Sequence, residues 1–306
     1  MAGKHSKNLF KKDGVSVDVV LSGEHRYLLP VSLPFKIVIA ATVISLILSA
    51  VFVGVYFVPD KAHGDILKNA ANVFENAVDY DKALQTLSQD NSDIKGWLKI
   101  EGTDINCAVC HTDNDTYYIN HNQLGKKSRY GALFLSSSDS FERINNDRNI
   151  VIYGNNIKNG SMFGTLKKYR NVNFYKQNPT VSLYYSGHAE TYIIFAVMLI
   201  GSSQNDAGTT YNPSRSYFSN EEEFTEWYKE TAQRSLIITT VSPQYGDDLL
   251  TLVTTADDFD GARLVVTAKK TTEWDASHTD VTGAVVNDKI KYPEIWYKER
   301  GLTYPY

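Results

Sequence analysis

The residues best suited to chemistry in this chain are two cysteines, Cys107 and Cys110, which have CxxC spacing and are followed directly by His111. This spacing can ligate a metal ion or form a reversible disulfide. Residues 105–110 (INCAVC), however, have the composition of a strand, in which residues three apart point to opposite faces. Two thiols on opposite faces do not readily share a metal or form a bond. We therefore interpret both cysteines as packing residues.

A second polar group is the acidic run Asp257, Asp258 and Asp260, which Arg263 follows closely. The acids are typical of a solvated turn, and near a groove they would repel a carboxylated ligand. The sequence contains neither a metal-ligand cluster nor a phosphate-binding glycine loop nor a dinucleotide fingerprint. We therefore predict no cofactor and no metal.

Composition narrows the class of protein. The 306 residues are 42% hydrophobic and 22% charged, with a formal net charge of −4, and mean hydropathy is −0.30. These values are typical of a globular protein and exclude a polytopic membrane protein. Nucleic-acid binding is not expected, because the chain lacks the excess of basic residues that dominates such binding.

One segment departs from this average. Residues 37–58 (IVIAATVISLILSAVFVGVYFV) contain no charge, and 22 helical residues are enough to cross a bilayer. Six Lys/Arg and three acidic residues precede it, which predicts a cytoplasmic N-terminus. A cleaved signal peptide is the alternative, but the run is too long and no clear cleavage site follows it. We predict an uncleaved single-pass anchor with the remainder of the chain on the cell-wall side.

After this segment, apolar spacing over residues 66–78 predicts an amphipathic helix, and residues 80–87 predict a second short one. Helical insertions are predicted near residues 162–169 and at 221–233. The intervening β-rich runs predict a barrel or sandwich. The predicted strands are 97–100, 105–110, 132–135, 149–153, 181–185, 191–200, 236–240, 249–253 and 263–268.

Three stretches of the β-rich region together resemble class B sortases, the membrane-anchored cysteine transpeptidases of Gram-positive bacteria. Residues 96–100 (GWLKI) and 113–121 (DNDTYYINH) are similar to the family's GWIKI and DNDYYLxH. Residues 150–164 (IVIYGNNIKNGSMFG) are similar to IIYGHNMKxGxMFG. Residues 250–255 (LTLVTT), followed by Arg263, are similar to LTLSTC…R. The resemblance implies a mainly β fold: an eight-stranded barrel with N-terminal helices, a helix between late strands, and one preceding transmembrane helix.

The same resemblance implies a site made of a Cys nucleophile, a His partner and an Arg. Here Asn155 occupies the His position, Thr255 occupies the Cys position, and Arg263 is retained. Asn carries no proton at useful pH, and a Thr hydroxyl needs an adjacent base to act as a nucleophile. The retained Arg can still bind a carbonyl or a carboxylate. We therefore predict an inactive sortase-like protein.

Three functions remain open from the sequence. The first is a binding module that holds a sorting-signal-like peptide, a pilin or a cell-wall precursor. The second is an active transpeptidase with a displaced nucleophile, for instance Cys110 with His111 or His121. The third is a structural envelope protein whose aromatic tail makes the partner contact.

The predicted organisation has five parts. They are a basic cytoplasmic N-terminus (1–36), the anchor (37–58), juxtamembrane and N-terminal helices (59–92), the barrel (93–270) and a C-terminal tail (271–306) that wraps the surface or forms a flexible end.

Overall fold

The structure, a computed structural model, describes residues 16–21, 25–30, 33–141, 149–202 and 211–306, with backbone only for residues 16–36, 53 and 55–59. The strands are Ser16–Leu21 (β1), His25–Pro30 (β2), Ile94–Lys99 (β3), Asn106–Cys110 (β4), Leu133–Leu135 (β5), Asn149–Tyr153 (β6), Thr180–Tyr185 (β7), His188–Ile200 (β8), Ile237–Ile238 (β9), Leu249–Thr255 (β10), Arg263–Thr271 (β11) and Val285–Val286 (β12). The α-helices are Leu33–Glu75 (α1), Tyr80–Asp90 (α2), Val172–Gln177 (α3), Glu221–Arg234 (α4), Glu273–His278 (α5) and Glu294–Lys298 (α6).

The chain divides into two units, residues 1–65 and 66–306. In the first unit β1 and β2 form an antiparallel pair, and most of α1 follows them. Among the residues that the structure describes, no helix combines the length and apolar character of a membrane span. The predicted anchor lies partly outside those residues, because the side chains of residues 53 and 55–59 are not described.

In the second unit, eight strands of the described chain close into a barrel in the order β10-β11-β8-β7-β3-β4-β5-β6. Neighbouring strands are antiparallel except for β4 with β5 and β6 with β10. The parallel pair of β6 and β10 completes the circle, so these strands have no open edge. The mainly β eight-stranded barrel is therefore confirmed.

Alternation along β10 determines which side chains fill the barrel. Leu250 and Leu252 belong to the main core, whereas Val253 packs on the outside against its cross-strand partner Val265. This alternation is the consequence of strand geometry, in which successive side chains point to opposite faces. The outer cluster consists of Val151, Met198, Ile200, Val253 and Val265.

The N-terminal helices of this unit cover one side of the barrel. Asp79 caps α2 by accepting backbone N–H groups at 2.9 and 3.3 Å, and the helix buries Ala83, Leu84 and Leu87. The ring of Phe74 in α1 stacks on Trp97 of β3 with centroids 4.6 Å apart. These helices correspond to the two predicted after the anchor.

The predicted strand at residues 236–240 is wrong as a barrel strand. Only β9 forms there, and it pairs with β12 outside the barrel. Hydroxyl groups on either side engage the backbone locally: Ser235 Oγ accepts from the Ile237 N–H at 3.3 Å, and Thr239 Oγ1 accepts from the Val241 N–H at 3.3 Å. Such local bonds compete with a sheet ladder.

The predicted helical insertion at 162–169 is displaced towards the C-terminus. A 3₁₀ helix at Leu166–Arg170 precedes α3. The residues before it form tight turns, because Gly160 has a φ of +93° and Met162 a φ of +52°. An α-helix is incompatible with these backbone angles.

The C-terminal tail lies on the barrel unit. Val281 and Ala284 are buried in its main core, and the Asn287 side-chain amide donates to the Ser235 carbonyl at 2.7 Å. Farther on, Glu299 accepts from the Asp260 N–H at 3.0 Å. The tail is thus a surface wrap that reaches the β10–β11 loop.

Candidate functional site

The three positions that correspond to the family's His, Cys and Arg lie on neighbouring strands at one end of the barrel. Thr255 ends β10 and Arg263 begins β11, and the two are direct cross-strand partners. On the other side of β10, Tyr153 of β6 is level with Val253, and the Gly154 N–H donates to the Val253 carbonyl at 3.1 Å. Asn155 follows immediately. The fold therefore brings together all three predicted positions.

The side-chain amide nitrogen of Asn155 is fully engaged with the backbone of the 117–131 loop. Its Nδ2 donates to the Ile119 carbonyl at 2.8 Å and to the Tyr130 carbonyl at 3.2 Å. Both hydrogens of the amide are used, so the residue holds the loop. It has no proton to give or take in a reaction.

Gly131 allows this close approach. Its φ is +66°, and a Cβ there would lie 2.5 Å from the Tyr118 carbonyl and 2.7 Å from Nδ2 of Asn155. Both the left-handed backbone and the lack of space require glycine. The Asn155 site is consequently built by backbone contacts from a distant loop.

Thr255 is exposed, and its hydroxyl makes no hydrogen bond within the described part of the chain. It lines a cleft of about 430 Å³ together with Asn156, Lys158 and Lys167. No histidine or cysteine is found among the described residues that line this cleft. The described cleft therefore offers the Thr255 hydroxyl no imidazole base of the kind found in a Ser-His pair.

Residues from other segments hold the β10–β11 loop, which is next to Thr255. Both guanidinium nitrogens of Arg170 donate to the carboxylate of Asp258, at 2.9 and 2.6 Å. Arg300 of the tail donates to the Asp258 carbonyl at 3.3 Å. The acidic run is therefore partly an anchored turn rather than a fully solvated one.

Arg263 lines a second cavity, a groove with a volume of about 540 Å³, although its side chain leaves the same face of the sheet as that of its cross-strand partner Thr255. Its guanidinium is exposed and forms no hydrogen bond or ion pair with any described residue. The apolar outer cluster forms the floor. Hydroxyl-bearing residues dominate the walls: Ser136, Ser138, Ser202, Ser214, Ser216, Tyr153 and Tyr211.

Two titratable side chains of this groove have fixed roles. The carboxylate of Asp139 accepts from the Val151 N–H at 2.8 Å and from Ser138 Oγ at 3.4 Å. Burial raises the pKa of Tyr153, although a hydrogen bond with Ser214 and the charge of Arg263 oppose that rise. The phenol is therefore protonated at neutral pH and is available as a donor.

The two cysteines do not form a site. Cys107 points into the main core and Cys110 into the cluster beneath α1 and α2, so they face opposite sides of β4 as predicted. Burial raises the pKa of Cys107 to about 12 and raises that of Cys110 as well. A buried thiol with a raised pKa is a poor nucleophile.

The histidines named with Cys110 have structural surroundings. The Nδ1 of His121 is 2.8 Å from the Tyr117 carbonyl, and its ring stacks on Tyr117 with centroids 4.0 Å apart. The Nε2 of His111 is buried. Among the described residues there is no group of three or more His, Cys, Asp or Glu side chains that could hold a metal.

The sequence did not predict the groove walls or the partners of Asn155. Ser214 and Tyr211 come from a connection far from the motifs, and the groups that hold Asn155 are backbone carbonyls. The one local signal for the surroundings of Asn155 is Gly131, a glycine that lies between an aromatic residue and a strand.

Comparison with known proteins agrees with this geometry, although no family model matches the chain. Sortase B of Listeria monocytogenes is 31% identical over 217 residues, which cover 70% of this chain and 84% of that protein. A mutant form of Clostridium perfringens sortase B superposes with a TM-score of 0.60 at 30% identity, covering 67% of this chain and 97% of that one.

A Staphylococcus aureus sortase B–substrate complex has the same fold, with a TM-score of 0.61 at 22% identity, and covers 70% of this chain and 98% of that one. The shared barrel and the similarity over most of the Listeria protein lead to one conclusion: the chain belongs to the class B sortase family.

Proposed function

We propose that this chain is a catalytically inactive class B sortase that holds a sorting-signal-like peptide in its groove. The observation that carries the proposal is the state of the three site positions. Both amide hydrogens of Asn155 hold a loop, no histidine lines the cleft of Thr255, and Arg263 forms no hydrogen bond or ion pair in the described chain.

Loss of chemistry is expected from the two substituted positions together. The family reaction needs a thiolate to attack a carbonyl and a histidine to protonate the leaving amine. A Thr hydroxyl near neutral pH supplies no anion, and an amide transfers no proton. Removing nucleophile and proton shuttle from one catalytic unit leaves only binding and electrostatic contributions.

Retention of binding is supported by the groove. A volume of about 540 Å³ accommodates several peptide residues, and its walls offer hydroxyl donors and acceptors above an apolar floor. The S. aureus sortase B–substrate complex shows that a protein of this fold holds its substrate. We extend peptide recognition to this chain on that basis.

Placement at the membrane is the second part of the proposal. It rests on the uncharged segment 37–58 and on the preceding basic residues, which favour a cytoplasmic N-terminus and a barrel on the cell-wall side. Extraction of membranes with alkaline carbonate tests it. The chain should stay with the lipid fraction, whereas a Leu46→Lys/Leu48→Lys variant should be released; release of both would contradict anchoring.

Activity and binding can be separated with one pair of proteins. The full-length chain and its Asn155→His/Thr255→Cys variant are placed in detergent micelles with a fluorogenic sorting-signal peptide and an amine acceptor. We expect the native chain to bind peptide by fluorescence polarisation without cleaving it, and the variant to cleave. Cleavage by the native chain would overturn the inactive assignment. Absence of binding and of cleavage in both proteins would overturn peptide recognition.

A further inference from the structure

Arg263 occupies an unusual electrostatic position in the groove. It is the one cation among the described groove residues, and its exposed guanidinium has no carboxylate or carbonyl partner there. The acid among those residues, Asp139, already accepts a backbone N–H and a serine hydroxyl. The positive charge of Arg263 is therefore not neutralised from within the groove. Of the acidic residues that line the adjacent cleft, Asp258 is paired with Arg170, and Asp257 is left as the opposing charge that a bound carboxylate must outweigh.

Two hydroxyl side chains neighbour Arg263. Thr255 lines the adjacent cleft and is the direct cross-strand partner of Arg263, so both side chains leave the same face of the sheet. Tyr153 also lines the groove, close enough for the charge of Arg263 to act on its hydroxyl. A planar fork of N–H donors with neutral hydroxyl donors beside it is complementary to an oxyanion with two oxygens.

We propose that this site binds the free C-terminal carboxylate of a peptide, with the guanidinium of Arg263 and the hydroxyl of Thr255 as its donors. The inference rests on the proposed peptide-binding function and specifies its ligand. An internal peptide bond would present a single neutral carbonyl oxygen, which leaves the charge of Arg263 uncompensated. A carboxylate compensates it and accepts bonds at both oxygens.

The Cys→Thr difference favours the same ligand. A cysteine at position 255 in its reactive thiolate form would place a negative charge against an incoming carboxylate. The Thr255 hydroxyl is neutral and donates instead. The reaction that supplies such a ligand is hydrolysis of a peptide bond, which leaves a carboxylate on the N-terminal fragment.

The test compares peptide termini. A set of fluorescein-labelled pentapeptides is synthesised twice, with a C-terminal carboxylate and with a C-terminal amide, and titrated against the full-length chain in detergent micelles. Peptides ending in L-threonine or in D-alanine distinguish a cleaved protein from a cell-wall stem peptide as the source. We expect the carboxylate forms to bind about 10-fold or more tightly than the amides, since a charge-assisted hydrogen bond contributes roughly 1.5–3 kcal/mol.

Variants localise the preference. Arg263→Gln should abolish it, Arg263→Lys should restore it in part, and Thr255→Val should weaken carboxylate binding a few-fold. Lys167→Gln tests the alternative that the anion lies deeper in the cleft that Thr255 also lines, because Lys167 is an exposed cation there. It should leave the preference unchanged.

Three outcomes would overturn the inference, in distinguishable ways. If carboxylate and amide peptides bind equally well, the proposed peptide-binding function is supported, but recognition of the terminal carboxylate is contradicted. If the preference for the carboxylate is lost in Lys167→Gln but kept in Arg263→Gln, the anion binds beside Lys167 and not at Arg263. Failure of every peptide to bind removes both the inference and the proposed function.

Discussion

Asn155 and Arg263 lie on either side of Thr255, and their side chains differ in what they do within the fold. The Asn155 amide donates both hydrogens to carbonyls of the 117–131 loop. The Arg263 guanidinium contacts no polar partner in the described chain and projects into the groove. One substituted catalytic position has become structural, whereas the retained one has no structural task. This difference supports the proposal that the groove binds a ligand.

The largest expected effect concerns whether Cys107 or Cys110 replaces the missing cysteine nucleophile. Cys107 and Cys110 are buried, and burial raises the pKa of both thiols. At pH 8 a disulfide reagent should therefore label them far more slowly in the native chain than in the unfolded chain. Both thiols should react rapidly in urea.

Comparison with a Cys110→Ala variant separates the two thiols. Fast labelling of Cys110 in the native chain at pH 8 would show an accessible thiolate. It would return the displaced-nucleophile hypothesis to consideration.

The next prediction tests how closely the residues around Asn155 are packed. Gly131→Ala should lower the free energy of unfolding by about 3 kcal/mol, because the new Cβ meets three polar atoms at less than 3.0 Å in addition to the backbone strain. Gly125→Ala is the control, since Gly125 has a φ of +68° and its nearest atom is 3.5 Å away. It should cost about 1 kcal/mol. Equal losses in urea denaturation would contradict close packing around Asn155.

A smaller effect distinguishes Asn155 from Arg263 directly. Asn155→Ala leaves two carbonyls without their donor and should destabilise the chain by about 1–2 kcal/mol. Asn156→Ala and Arg263→Gln remove side chains that have no hydrogen-bond partner in the described chain, so each should stay within about 0.5 kcal/mol of the native protein. A loss in Arg263→Gln as large as in Asn155→Ala would show that Arg263 is structural as well.

The smallest effect concerns Arg170, an arginine that is paired with a carboxylate. Arg170 and Asp258 form a half-exposed ion pair, which contributes less than about 1 kcal/mol in general. Arg170→Gln should therefore change stability by about 0.5 kcal/mol, and less at high salt. Urea unfolding curves at two salt concentrations measure this change in stability. Urea is used because guanidinium chloride is itself a salt and would screen the ion pair. A salt-independent loss above 2 kcal/mol would contradict a surface pair.

The sequence predicted the barrel because its strands carry their own pattern. Runs such as 149–153 and 249–253 are apolar and β-branched, and they appear in the structure as β6 and β10. The run 236–240 has the same composition but is not a barrel strand, since its hydroxyl side chains engage the backbone locally. Composition alone does not separate these two cases.

The site was predictable only in part for a related reason. Asn155, Thr255 and Arg263 were identified from the motifs, and their strands bring them together. What holds Asn155 is a pair of backbone carbonyls more than twenty positions away, and any residue type supplies a carbonyl. The groove walls are also built by long-range packing, which leaves no local signature.

The parallel pairing of β6 with β10 has a consequence for folding. Asn149 pairs with Leu249, so this contact closes a loop of about 100 residues, and such long-range pairing is entropically costly and slow. Thr255 and Arg263 already pair within β10 and β11, so it is Asn155 that joins them only when the barrel circle closes. A peptide bound across that seam would stabilise the closed state by mass action, and its presence during folding would favour completion of the barrel.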